Sequence, residues 1–158
     1  MLGGHIDTVR ALVSAGADVN IQRNDGASPL HVACQKGDID IVKLLLDNGA
    51  HIETRDINGY TPLWIAAACG QTEVIDVLTA RGADTDAISY NRHLPLYAAI
   101  GNEHADAALI LLRKSHADES SIYFRSLLIF MTEIFKDNEK HILSVVRQLG
   151  THYTRAYE

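Results

Sequence analysis

The residues of this chain that could do chemistry are histidines, cysteines and acidic side chains, and their spacing matches no catalytic or metal-binding motif. There is no zinc helix of the type His-Glu-x-x-His, no phosphate-binding loop ending in Gly-Lys and no Gly-x-Ser-x-Gly turn. The eight histidines are scattered without ligand spacing: His5, His31, His51, His93, His104, His116, His141 and His152. We therefore predict no catalytic residue, no metal site and no cofactor.

The two cysteines and the acidic side chains have simpler structural interpretations. Cys34 lies in an apolar helical pattern and is expected to be a small buried side chain. Cys69 is expected to be partly exposed, and no cation flanks it in sequence to lower its pKa. Asp76, Asp84 and Asp86 lack the twelve-residue pattern of a calcium loop, so we interpret them as a solvated acidic face.

The composition excludes further classes of function. The chain has 158 residues, is 47% hydrophobic and carries a formal charge of −6, which argues against binding to nucleic-acid phosphates. No apolar run approaches the roughly 20 residues that span a bilayer, and the first residues do not predict a signal peptide. We expect a cytoplasmic protein with no membrane partner; the nucleus and the cytosol of a host cell remain alternatives.

The elements that position these residues repeat along the chain. Pro-Leu pairs begin at positions 29, 62 and 95, and Gly-Ala pairs begin at positions 16, 49 and 82, both with a period of 33 residues. Between each Pro-Leu and the next Gly-Ala lie two short helical patterns separated by a turn. A chain of two-helix repeats is therefore predicted.

The repeated strings resemble the ankyrin repeat. They are Gly59-x-Thr61-Pro62-Leu63, Ala66-Ala67, Gly70-x-x-Glu73-Val74 and Gly82-Ala83-Asp84. The resemblance implies an all-α solenoid of stacked helix-turn-helix units with projecting β-turn loops, covering residues 1–119. It also implies that His31 forms a hydrogen bond between adjacent turns.

The first and fourth repeats depart from the pattern. Gly4 corresponds to the glycine between the two helices, so the first repeat lacks its first helix. The native chain would then begin inside a repeat or be a fragment of a longer protein, which would leave an apolar face of residues 7–15 uncovered. In the degenerate fourth repeat, Arg92 replaces the turn glycine, Leu94 replaces threonine and Glu103 replaces the inter-helix glycine.

Residues 120–158 keep a helical pattern without the repeated strings. Two amphipathic stretches, residues 122–135 and 141–149, predict a degenerate fifth repeat or a C-terminal helical cap. We expect a monomer, with self-association through these helices as the alternative.

The resemblance implies a non-enzymatic adaptor or scaffold that binds another protein through a concave surface of turns and first helices. Ile57, Tyr60 and Tyr90 would form an apolar anchor strip on successive turns, since surface turns rarely need such residues for folding. The predicted partner-binding residues are Asn24, Asp25, Ile57, Asn58, Tyr60, Tyr90, Asn91 and His93 on the turns, and Gln35, Lys36 and Asn102 at the ends of first helices. The alternative function is a targeting or regulatory fragment of a larger multidomain protein, such as an enzyme or a secreted bacterial effector.

One residue is a candidate for modification. Asn20, in Asp18-Val19-Asn20, is similar to the substrates of the asparaginyl hydroxylase that acts on ankyrin repeats. We favour the structural interpretation, in which its side chain satisfies backbone groups of the turn.

Overall fold

A computed structural model describes residues 4–114, and these residues form seven helices. The helices are α1 (Gly4–Ser14), α2 (Pro29–Lys36), α3 (Ile39–Asp47), α4 (Pro62–Ala68), α5 (Thr72–Ala80), α6 (Pro95–Gly101) and α7 (Ala105–Lys114). The helices pair as α2 with α3, α4 with α5 and α6 with α7, and α1 is the second helix of a preceding repeat. The predicted all-α fold is confirmed.

The helices stack in two layers. The first helices contact one another in the order α2, α4, α6, and the second helices do so in the order α1, α3, α5, α7. The interior is continuous through the stack, because the same positions are buried in successive repeats. These positions are Leu30, Leu63 and Leu96; Ala33, Ala66 and Ala99; Val42, Ile75 and Ala108; and Leu45, Leu78 and Leu111.

Each first helix begins at a proline, and two of the three have a side-chain cap. The Ser28 and Thr61 side chains accept hydrogen bonds from the backbone N–H three residues on, which satisfies a donor that the helix itself cannot. Leu94 holds the same extended conformation before α6 but has no side-chain oxygen to accept such a bond. Helix α6 is therefore held by its packing rather than by its cap.

The fourth repeat keeps the backbone of the others without their glycines. The turn glycines Gly26 and Gly59 have φ values of 76° and 77°, and Arg92 takes the same left-handed conformation at 63°. Glu103, at the inter-helix position, has a φ of 62°. Stacking thus holds two non-glycine residues in a region that side chains disfavour.

No helix within residues 4–114 is long and apolar enough to cross a membrane.

Two of the sequence predictions concern residues outside those that the structure describes. The boundary between residues 119 and 120 and the degenerate fifth repeat or cap, with its alternative of self-association, lie outside the described residues.

Arg92→Gly is expected to stabilise the protein. A left-handed non-glycine residue carries roughly 1–2 kcal/mol of strain, which the larger unfolded-state entropy of glycine only partly offsets. We expect the free energy of unfolding in urea to rise by about 1 kcal/mol. An unchanged or lower value would contradict the assignment of strain.

The matched control is Gly26→Ala at the same position of an earlier turn. A Cβ there would lie 2.9 Å from the Cα of Asp56, in addition to the left-handed φ. This variant should lose stability, by about 2 kcal/mol or more.

Candidate functional site: the projecting turns

The three turns between the repeats, which we call the tips, are residues 23–27, 56–60 and 89–93. In the first, the N–H of Gly26 donates to the carbonyl of Arg23 at 2.9 Å, and the N–H of Arg23 donates to Ala27 at 3.0 Å. The corresponding bonds recur in the second and third tips. Each tip is therefore a closed turn with a defined backbone.

Neighbouring tips are hydrogen-bonded to each other. The N–H of Ile57 donates to the carbonyl of Asp25, and the N–H of Tyr90 donates to the carbonyl of Asn58, both at 3.1 Å. At Gly59 a Cβ would come within 2.8 Å of the backbone nitrogen of Tyr90. The tips thus form one hydrogen-bonded row that depends on close backbone contact.

Long polar side chains form hydrogen bonds to backbone carbonyls in and beside the tips. The Gln22 side-chain amide donates to the carbonyls of Gly26 at 2.6 Å and Arg55 at 3.1 Å. One repeat later, Arg55 donates through Nη1 to the carbonyls of Gly59 at 3.0 Å and Ile88 at 2.6 Å. The residue at the equivalent position of the next repeat is Ile88, whose exposed side chain has no hydrogen-bond donor. Ile88 was not among the residues predicted from the sequence, although the 33-residue period aligns this apolar residue with Gln22 and Arg55.

His31 connects the first two tips, as the family resemblance implied. Its Nδ1 accepts from the N–H of Ser28 at 3.2 Å, so Nε2 carries the proton and donates to the carbonyl of Tyr60 at 3.0 Å. The side chain is buried, and this burial lowers its pKa, opposed by the bond to Tyr60 and by Asp56 and Asp25. His31 is therefore a neutral structural bridge between tips.

Trp64 occupies the position of His31 in the next repeat and packs instead of bridging. Its ring stacks on that of Tyr60, with centroids 3.5 Å apart and planes within 8°. Tyr60 is half-buried in consequence and covers Trp64, so it is not the free anchor that the sequence suggested. The indole N–H of Trp64 is buried without an acceptor among the described residues.

The other two members of the expected apolar strip are exposed. Ile57 is 64% exposed and Tyr90 is 67% exposed, and the bond from Tyr90 to Asn58 holds their tips side by side. The tyrosine ring also lies against Gly59, where a Cβ would approach Cδ1 to 2.7 Å. The strip consists of these two side chains.

The polar residues expected to bind a partner differ in their exposure and in the contacts that their side chains already make. Asp25 is half-buried and committed, because it pairs with Arg23 at 3.1 Å and accepts from the N–H of Ala27 at 3.1 Å. The Asn102 amide donates to the carbonyl of Ala98 at 2.8 Å at the end of α6. The remaining residues are exposed: Asn24, Asn58, Asn91 and His93 on the tips, and Gln35 and Lys36 at the end of α2.

The Asn20 side chain joins two repeats through both of its polar atoms. Its Nδ2 donates to the carbonyl of Gly49 at 3.0 Å, and its Oδ1 accepts from the N–H of His51 at 2.7 Å. Glu53, in the next repeat, accepts from the N–H of Asp84 at 2.8 Å. Desolvation of its carboxylate raises the pKa of Glu53, and this bond opposes the rise. The contacts of Asn20 support its structural interpretation.

The cysteines have the environments that the sequence indicated. Cys34 is buried and Cys69 is half-buried, and in both cases burial raises the pKa of the thiol. A thiol with a raised pKa is a poor nucleophile near neutral pH. Within residues 4–114, no three His, Cys, Asp or Glu side chains are grouped so that they could hold a metal ion.

The chain matches a known protein family. A sequence model described as ankyrin repeats, in three copies, matches residues 1–89 and 51–122. No curated protein matches the chain.

The stability of the protein is expected to fall on mild acidification because of His31. Its pKa is lowered below the ordinary value of 6.5, so the unfolded chain binds the proton more readily than the folded one. The stabilisation is complete above the unfolded pKa and is lost as the pH falls from there through the lower folded pKa. Urea unfolding between about pH 7 and about pH 5 measures this slope.

Two variants assign the slope to His31. His31→Gln should flatten it, and His93→Gln, at an exposed residue of the third tip, should leave it unchanged. Equal slopes in all three proteins would show that another group is responsible.

Asn20→Ala is expected to lower the free energy of unfolding by about 1–2 kcal/mol, because it removes both inter-repeat hydrogen bonds. Urea denaturation compares it with Asn24→Ala, at an exposed residue of the first tip, which should change stability by less than about 0.5 kcal/mol. Equal effects of the two substitutions would refute a structural role for Asn20.

Proposed function

Because the chain belongs to the ankyrin-repeat family, whose members are generally protein–protein interaction modules, we propose that it is a non-enzymatic adaptor or scaffold. It binds another protein through the concave surface formed by the tips and the first helices. Ile57 and Tyr90 are the anchors of this surface.

The observation that carries the proposal is the exposure of these two side chains on a fixed backbone. A folded turn gains little from exposing an isoleucine or a tyrosine, and a partner that covers them removes apolar area from water. Their backbone nitrogens are already bonded to the preceding tips, so binding costs little backbone ordering. Tyrosine is moreover enriched among residues that dominate binding energies.

The residues around the anchors define the chemistry of the partner surface. Asn24, Asn58, Asn91 and His93 are exposed on the tips, and the Asp25 carboxylate is already paired with Arg23. The site therefore presents an apolar centre with a rim of amide and imidazole groups. It suits a partner surface that offers an apolar pocket bordered by hydrogen-bonding groups rather than a highly charged one.

Because Tyr60 stacks on Trp64, we propose a supporting role for this pair. Removing either ring would disturb the base of the second tip as well as any contact with a partner. A test of binding must therefore leave both rings in place and change only exposed side chains.

Replacing both anchors, in Ile57→Ser/Tyr90→Ser, is expected to abolish capture of the partner from native lysate. Each substitution removes contact area worth roughly 2 kcal/mol, about 30-fold in Kd, once the captured partner is purified and titrated. The reason is loss of apolar burial, since the backbone bonds of the tips do not involve these side chains.

The control is Leu12→Ser/Ile21→Ser, which removes two exposed apolar side chains that lie outside the second and third tips. Far-UV circular dichroism and urea unfolding verify that both variants are folded. A partner bound equally by the parent and the anchor variant would rule out the tips as its site.

A further inference from the structure

The third tip presents a cation that its own turn does not use. The N–H of Arg92 donates to the carbonyl of Ser89 at 2.9 Å, and the N–H of Ser89 donates to the carbonyl of His93 at 3.0 Å. The side chain of Arg92 is exposed and forms no hydrogen bond or ion pair within residues 4–114. This side chain therefore does not stabilise the turn that carries it.

The backbone conformation of Arg92 is costly for a residue with a side chain. Its φ of 63° lies in the left-handed region, and the equivalent residues of the first two tips are Gly26 and Gly59. Glycine occupies this region without strain. Because backbone strain of this kind clusters at binding and catalytic sites, Arg92 has the features of a residue that serves binding rather than folding.

The charge of the tips changes along their row. In the first tip, Arg23 pairs with Asp25 at 3.1 Å. The second tip holds Asp56, whose carboxylate accepts two hydrogen bonds from backbone N–H groups of the same tip. The third tip holds Arg92 and no acidic residue. It is therefore the positively charged tip of the row.

Exposed apolar side chains precede this cation in the chain. Tyr90 is 67% exposed and Ile88 is 50% exposed, whereas Ser89 between them is buried. The guanidinium of Arg55 donates to the carbonyl of Ile88 at 2.6 Å and adds positive potential next to the same tip. A partner that covers Tyr90 would thus bring the border of its contact surface close to Arg92.

We propose that the partner of the tip surface carries an Asp or Glu carboxylate at the border of its apolar pocket, and that this carboxylate pairs with Arg92. This role of Arg92 rests on the proposed function, because it requires that Ile57 and Tyr90 dock on that partner. The planar guanidinium can donate two parallel N–H bonds to one carboxylate. Of the three tips described, the third alone has an arginine without an ion pair, so the pair fixes the direction in which the partner lies along the row.

A carboxylate suits this position better than a phosphate group does. A phosphorylated side chain carries about −1.5 to −2 charges at neutral pH, and one guanidinium balances only one of them. The neighbouring tip holds Asp56, and the whole chain has a formal charge of −6. A single carboxylate adds one charge to a partner surface that is otherwise apolar and hydrogen-bonding.

The probe is the protein that the parent chain retains from native lysate, purified and titrated by calorimetry. Arg92→Glu should raise its Kd by at least about tenfold, because two like charges would then meet. Arg92→Lys should keep more of the affinity than Arg92→Gln, since it keeps the charge without the two parallel bonds. Between about 50 and about 500 mM NaCl, the affinity of the parent should fall more steeply than that of Arg92→Gln.

The matched control is Lys43→Glu, at an exposed residue of α3. It makes the same change in formal charge as Arg92→Glu and should bind the purified partner as the parent does.

Arg92→Gly separates a role in binding from a role in folding. This variant is expected to be more stable than the parent, because it relieves the strained backbone. It should nevertheless bind the purified partner about five- to tenfold more weakly, because it lacks the guanidinium. Greater stability together with weaker binding is the result that a purely structural role of Arg92 would not give.

Reversing both charges identifies the pair. Each exposed Asp and Glu of the purified partner is replaced by Lys in turn. One of these partner variants should bind Arg92→Glu more tightly than it binds the parent chain.

Two results would overturn the ion pair and leave the proposed function intact. One is a partner that Ile57→Ser/Tyr90→Ser no longer binds, but that the parent and Arg92→Glu bind equally. The other is a partner that loses its dependence on Arg92 after phosphatase treatment, which would place a phosphate at this position. A partner that binds without either anchor, or the retention of no protein, would refute the proposed function and the ion pair with it.

Discussion

No pair of helices in this chain encloses a core by itself. Each pair carries apolar residues on the two faces that look along the stack, and these residues leave water only when another pair packs against them. The buried leucine and alanine positions recur with the repeat because each contacts its equivalent neighbours rather than a central core. Two other features depend on this contact: the hydrogen bonds between tips, and the left-handed conformations of Arg92 and Glu103.

The fourth repeat shows how far stacking can override local sequence. Helix α6 has no side-chain cap at Leu94, and Arg92 and Glu103 take left-handed conformations that favour glycine. The burial of Leu96, Ala99 and Leu111 compensates for these local costs. Close backbone contact, by contrast, makes the glycine at Gly26 indispensable, because a side chain there would meet the backbone of Asp56. Arg92 lies on a tip where its side chain remains exposed.

The candidate binding surface is a consequence of the same stacking. The row of tips is fixed by bonds such as that of Tyr90 to Asn58, so its exposed side chains are presented on a rigid backbone. This surface suits a partner that offers an apolar pocket with a hydrogen-bonding border.

The bridging position of His31 came from the resemblance to the ankyrin repeat, whereas the sequence by itself determined the period and the order of the helices. These follow from residue types at fixed spacing, and local spacing is what a sequence records directly. Only the tertiary structure decided which turn residues are free: Tyr60 is covered by its stacking on Trp64, Asp25 is paired with Arg23, and Ile88 is exposed beside Tyr90. The physical reason is that exposure depends on the directions that side chains take in the folded turns, which residue types do not record. Tyr60 stacks on the nearby Trp64 and Arg23 pairs with Asp25 of the same turn, and these directions are fixed only when the chain folds.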